Sequence, residues 1–357
     1  MIYIKQLDTI RAFAILSVVT THWSSSHSIY YKISSTISGP FIFFTISGFL
    51  ITRILLSERL NAEKFAISKF TVYKNFFIKR ALRIFPAYYF IILITYLLSH
   101  NNFSSFYPYL TFTTNFYLCH IQAWGVLTHL WSMAVEEQFY LVWPLIILLL
   151  PQRYLLPTIL FFILTGIISR CFMPVNDFYY TLPFACFDAL GIGALLAWIN
   201  YFKPDHVFLF YKILTMLSVL SCCLIVVELN TDSYLFIFHR TFIAIITAWI
   251  IAFFLINNAS VGNEPFSLFK QKSLIMIGKI SYGVFLYHIP LIENSYRFLP
   301  KLNSYLPFST SIVNSNFILF ENFTILLFMS YISWKFFELP ISTLKRYFKI
   351  KSSLVTN

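Results

Sequence analysis

Apolar runs of similar length recur along the chain, at about 10–28, 38–56, 77–98, 128–150, 155–173, 182–200, 208–228, 237–256, 274–297 and 316–338. A bilayer core is crossed by about 20 apolar residues in helical form, so each run predicts one crossing. The set predicts an all-α polytopic membrane protein with about ten transmembrane helices. Two polar stretches interrupt the rhythm. Residues 57–76 mix Glu58, Arg59, Glu63, Lys64, Lys69 and Lys74 with Phe65, Ile67, Phe70 and Tyr73, a pattern that suits an interfacial amphipathic helix. Residues 99–127, broken by Pro108 and many polar groups, suit a re-entrant or lid segment that faces protein or water.

The composition agrees with the pattern. The chain is 58% hydrophobic and 11% charged, with a mean hydropathy of +0.73, far from a soluble domain. Its net charge of +12 is dispersed among short loops and tails rather than gathered into one nucleic-acid-binding stripe. With ten crossings, 21 of the 26 Lys and Arg residues fall on one side, and only Lys32, Arg170, Arg240, Arg297 and Lys301 on the other. The positive-inside rule then sets both termini in the cytoplasm. The first apolar run shows no clear cleavage site and is expected to be retained as a span. Five cysteines without CxxC spacing predict neither a disulfide framework nor a metal site. Residues 1–340 are expected to form one transmembrane domain and 341–357 a basic cytoplasmic tail, with no appended soluble domain.

Ionisable residues inside these runs are the candidates for chemistry. In the first run Asp8, Arg11 and His22 share one helix face, with Arg11 and His22 eleven residues apart, or roughly 16 Å along a helix. The plainer interpretation is a topology anchor and a headgroup-level histidine. Arg80 and Arg83 lie one turn apart at the cytoplasmic mouth of the third span, where guanidinium forks bind phosphate or simply anchor topology. Ser132, Glu136 and Glu137 open the fourth span, and a carboxylate there would orient and polarise an imidazole base or rest at the headgroups. Asp188 and His288 are expected to hydrogen-bond between helices. Glu338 is expected to pair with Arg80 or Arg83.

Taken together, the segments LDTIRAFAILSVVTTH, FFTISGFLIT, RALRIFPAYY, HLWSMAVEEQFYLVWP, DALGIGALLA, GKISYGVFLYHIPL and KFFELP resemble, in order, the membrane-bound acyltransferase-3 family of bacterial O-acyltransferases. The resemblance implies a ten-helix domain in the bacterial cytoplasmic membrane. Such a domain passes an acyl group, usually acetyl, from cytoplasmic acetyl-CoA to a hydroxyl of an extracytoplasmic glycan. O-antigen of lipopolysaccharide or an exopolysaccharide is the first expectation. It implies a catalytic role for His22 with Arg11, a donor-binding role for Arg80 and Arg83, and supporting positions at Ser132, Glu136, Ser281, Tyr282 and His288. One departure stands out: Gly39-Pro40-Phe41 occupies the place where many members carry Gly-Val-Asp, so an acid is missing there. Glu136 is the candidate to replace it, and Glu136 or Glu137 is expected beside His22. A lipid-linked saccharide transporter or flippase without covalent chemistry is the alternative, and a scaffold of interlocked helices a third.

Overall fold

In the computed structural model the described residues are 4–98, 106–174, 176, 178–231, 236–257, 269, 271–303 and 315–348, with backbone alone considered at parts of 296–303 and at 315–316. They form α1 (Gln6–Trp23), α2 (Ile29–Ile37), α3 (Gly39–Lys64), α4 (Lys69–Leu98), α5 (Tyr107–Leu110), α6 (Thr114–Ile121), α7 (Trp131–Leu149), α8 (Gln152–Phe172), α9 (Phe187–Phe202), α10 (Val207–Asn230), α11 (Phe236–Asn257), α12 (Lys272–Asn303), α13 (Ser315–Ile332) and α14 (Leu339–Thr343). Short 3-10 turns precede α7, α9 and α10, and no strand occurs among the described residues. The protein is a multi-pass membrane protein.

Nine helical segments among the described residues are long and apolar enough to cross a membrane, one fewer than the ten runs predict. The missing one is α1, which has the length but carries Asp8, Arg11 and His22. Protein encloses most of it instead: Leu7, Asp8, Ile10, Ala14, Ile15, Val18 and Val19 are all buried, against α12, α3 and α2, while Phe13 and His22 stay exposed. A helix too polar for lipid is tolerated where other helices enclose it.

The first span also ends sooner than the expected 10–28, because the serine-rich turn after Trp23 breaks it. The Ser28 hydroxyl accepts the Tyr30 N–H and caps α2, a short helix the apolar pattern does not reveal. Residues 57–76 are not a separate interfacial helix. Their first half extends α3, and their second half opens the 30-residue α4 after a turn in which Ala66 takes a φ of 52°. The charges therefore project from ordinary helix ends, as in the Lys79–Glu58 pair at 3.2 Å.

Of the 99–127 segment, residues 99–105 lie outside the described residues. The remainder is helical in pieces and fastened to the bundle. Tyr88 and Tyr89 of α4 donate to the Tyr109 and Leu110 carbonyls at 2.8 and 3.1 Å, and Asn115 exchanges amide hydrogen bonds with Gln138 of α7. Of the expected basic tail, the residues beyond Phe348 lie outside the described ones.

Helices α3 and α9 cross closely near the centre of the molecule. A Cβ on Gly48 would overlap the Leu190 carbonyl, and one on Gly193 the Thr45 carbonyl. Small residues permit such backbone approach in membranes, where packing replaces the hydrophobic drive. Asp188 is structural in the way expected, and its partner is Arg170, a residue the charge count had set aside. Arg170 donates to both Asp188 oxygens at 2.8 and 2.7 Å, with Thr241 completing the buried cluster.

Candidate active site

Helix α1 delivers the first polar layer. Asp8 and Arg11 form an ion pair at 3.0 Å, and the Asp8 side chain is only 4% exposed. Helix α12 can lie against this turn because residue 278 is glycine; a Cβ there would overlap the Asp8 carbonyl. Arg11 lies at a basic end of the bundle, where it shares a cavity wall with Arg83, Lys279 and Lys345.

Two adjoining cavities open from that basic end. One, of about 240 Å³, is lined by Asp8, Arg11, Arg83, Lys279, Glu338 and Lys345. The other, of about 100 Å³, lies deeper, between Arg11, Ser47, Arg80, Ser132, Glu136 and Phe285. Arg11, Arg83 and Tyr282 belong to both walls, so the two cavities adjoin. Among the described residues neither Arg80 nor Arg83 has a carboxylate at ion-pair distance. The Arg80 guanidinium instead lies over the Phe76 and Tyr140 rings, 5.6 and 5.4 Å from their centroids.

Glu136 is held firmly within this deeper cavity. The Ser47 hydroxyl donates to one oxygen at 3.0 Å and the Tyr140 hydroxyl to the other at 2.8 Å. Ser47 therefore does more than allow helix contact. Glu137 points elsewhere: it is buried, with Oε1 unpartnered among the described residues. Ser281 and Tyr282 line the deeper cavity as well, and Tyr282 is pinned by its hydrogen bond to the Ile84 carbonyl at 2.6 Å.

Glu338 lies on a π-helical turn, Ser333–Glu338, that follows α13. The Ser333 hydroxyl donates to it at 3.1 Å. It shares a cavity wall with Arg83, but no salt bridge joins Glu338 to either Arg80 or Arg83 among the described residues.

Beyond Phe285 lies a second polar group made wholly of imidazoles. His22, at the far end of α1, has its ring 5.2 Å from that of His288. His129, on the turn before α7, is 5.0 Å from His288 on another side. The Phe285 ring, 5.3 Å from His129, separates the three histidines from the deeper cavity. Glu136 lines that cavity and His22 does not, so the carboxylate expected beside His22 is engaged by Ser47 and Tyr140 instead. The neighbours of His22 are imidazoles. Among the described residues no group of His, Cys, Asp or Glu has the geometry to hold a metal ion.

His129, Lys279, Lys345 and the hydroxyls on Glu136 escaped the sequence patterns. His129 had one available signal: it lies seven residues before Glu136, two helical turns away, which places both along one face.

Comparison with known proteins gives this arrangement its context. A family model described as an acyltransferase domain, acyltransferase 3, matches residues 4–344. The peptidoglycan O-acetyltransferase OatA of Listeria monocytogenes is 28% identical over 323 residues, covering 81% of this chain and 49% of that protein. The putative peptidoglycan O-acetyltransferase YrhL of Bacillus subtilis is 28% identical over 330 residues, with 81% and 49% covered. The O-acetyltransferase OatA of Staphylococcus aureus is 28% identical over 382 residues, with 95% and 57% covered. The chain thus spans about half the length of the curated relatives it matches. No solved structure matches it. With the family model matching nearly the whole chain, and the Arg11, Arg80, Arg83 and Glu136 positions gathered around one cavity, the chain belongs to the acyltransferase-3 family.

Proposed function

We propose that this protein is a membrane O-acetyltransferase. It takes the acetyl group from acetyl-CoA on the cytoplasmic side and delivers it to a hydroxyl of a cell-envelope glycan on the other. The names of the relatives support peptidoglycan as the acceptor over the O-antigen expected from the resemblance. The observation that carries the reading is the pair Arg80 and Arg83, without carboxylate partners among the described residues and both lining a cavity whose Phe285 ring packs against His129 and His288. Unpaired guanidinium groups in a cleft suit phosphate oxygens. The charge asymmetry supports a cytoplasmic location for that end and for both termini, in a bacterial cytoplasmic membrane.

In this reading the phosphate-bearing part of the donor rests at the wider cavity, against Arg83, Lys279 and Lys345. Its thioester arm passes Arg11 and Phe285 to reach His22. Neutral His22 takes the proton of the glycan hydroxyl as that oxygen attacks the acetyl carbonyl. The new O–C bond forms, the C–S bond breaks, and the leaving thiolate recovers the proton from His22. An acetyl group carried transiently on His22 is the two-step version of the same transfer. The Tyr140 ring supports Arg80, while the Ser47 and Tyr140 hydroxyls orient the Glu136 carboxylate within the cavity that the arm crosses.

Thermal unfolding of the purified protein with and without acetyl-CoA tests the donor site. A ligand at 100 times its Kd stabilises the folded state by about 2.7 kcal/mol, a shift of several degrees. The wild type should show this shift, and Arg80→Ala and Arg83→Ala should need at least tenfold more donor for the same effect. An unmoved melting curve at saturating acetyl-CoA would exclude the donor, and would favour a saccharide transporter that uses the same path.

A further inference from the structure

His288 is buried completely, in the middle of α12, and its two ring nitrogens are in different situations. Nδ1 lies 2.7 Å from the Phe285 carbonyl, one turn earlier on the same helix. A carbonyl only accepts, so Nδ1 carries the proton. Nε2 must then be a bare lone pair, and it has no hydrogen-bond partner among the described residues. An unsatisfied buried acceptor is uncommon enough in a folded protein to require a reason. The helix itself fixes this tautomer, and Trp23 of α1 holds the same residue by donating its indole N–H to the His288 carbonyl at 3.1 Å.

Two imidazoles neighbour His288, buried His129 at 5.0 Å and His22 at 5.2 Å between ring centroids. The ~3 Å of a nitrogen-to-nitrogen hydrogen bond plus about 1 Å from each ring centre to its nitrogen spans about 5 Å, so His22 stands at the separation such a bond requires. His22 is exposed, whereas His288 and His129 are buried. Only His22 can meet a substrate hydroxyl while touching His288.

We propose that His288 is the positioning residue for His22. Its Nε2 accepts the His22 N–H, and the opposite nitrogen of His22 is thereby left unprotonated and turned toward the incoming hydroxyl. An imidazole thus fills the place in which a carboxylate commonly orients a catalytic histidine. The inference rests on His22 being the base of the proposed transfer.

The test reads the His22 nitrogen directly, in native membranes, by its rate of carbethoxylation with diethyl pyrocarbonate, followed by peptide mass spectrometry. Exposed His27 serves as internal reference. His288→Gln retains an acceptor oxygen near the Nε2 position, while His288→Met has similar length without one, and both lose the Nδ1 donor. Labelling of His22 relative to His27 should stay near wild type in His288→Gln. It should fall roughly 3- to 10-fold in His288→Met, the equivalent of one neutral hydrogen bond. His129→Met should leave the rate unchanged.

Equal rates in the Gln and Met variants would overturn the proposal, as would a fall in His129→Met alone. Should the Met variant not fold, a His288→Gln rate several-fold below wild type would be equally contrary. The readout involves no acyl transfer, so it stays separate from the question of whether His22 is the base. If His22→Ala retained transfer, that would refute the base while leaving the labelling result intact.

Discussion

At the scale of single residues, the site depends on polar groups whose partners come from distant parts of the chain. Glu136 takes Ser47 from α3 and Tyr140 from its own helix, and the Tyr140 ring in turn supports Arg80. Replacing Tyr140 by Phe keeps the ring beneath the guanidinium and removes the hydroxyl alone. A hydrogen bond to a charged group is worth about 1.5–3 kcal/mol, so transfer should fall roughly 10- to 100-fold. The acetyl-CoA concentration needed for thermal stabilisation should stay as in the wild type, because Arg80 keeps its platform. Kinetics and melting curves on the same preparation check both halves, and an unchanged rate would remove Glu136 orientation from the mechanism. The residue types at these positions were legible in the sequence, since ionisable groups inside apolar runs mark themselves. Their pairings were not. Nothing in local spacing indicates that Ser47 would reach Glu136, or that Arg170 would satisfy Asp188, because each contact joins residues separated by an intervening crossing or loop.

At the scale of elements, close crossings bring the site together. Helices α3 and α9 meet backbone to backbone at Gly48 and Gly193, and α12 meets α1 at Gly278, which fixes how far Arg11 stands from Tyr282. Gly48→Leu would push a side chain into the Leu190 carbonyl and open the α3–α9 crossing. Overpacking of this kind costs about 1–3 kcal/mol, and the melting temperature should drop by several degrees. Gly125→Ala is the matched control: its Cβ would meet only Thr128 Cγ2, at 3.7 Å, so the melting curve should not move. Equal melting of both variants would show that the crossing is looser than its geometry implies. Apolar runs located the helices whether they are mostly exposed, as α8 and α10, or mostly enclosed, as α7 and α9, and fell short at α1 and α2. The apolar stretches of α8 and α10 are 22% buried, against 61% for α7. The hydropathy of α1 falls short because its surroundings are protein, and α2 is hidden because a short serine-capped helix carries no span-length signal.

At the scale of the whole molecule, polar groups follow one another in layers within an apolar bundle. Basic groups line the wider cavity, Arg80 and Glu136 the deeper one, and three imidazoles lie beyond Phe285 at the far end of α1. That order matches the needs of a transfer that begins with an anionic donor on one side and ends at a hydroxyl on the other. The central claim is that His22 performs the transfer. Isolated membranes supplied with labelled acetyl-CoA, with label followed into cell-envelope glycan, test it for wild type and His22→Ala at matched expression. Removing a general base commonly costs about 10²–10⁴-fold, so the wild type should label the glycan and His22→Ala should fall to background. Equal labelling by the two would contradict the account.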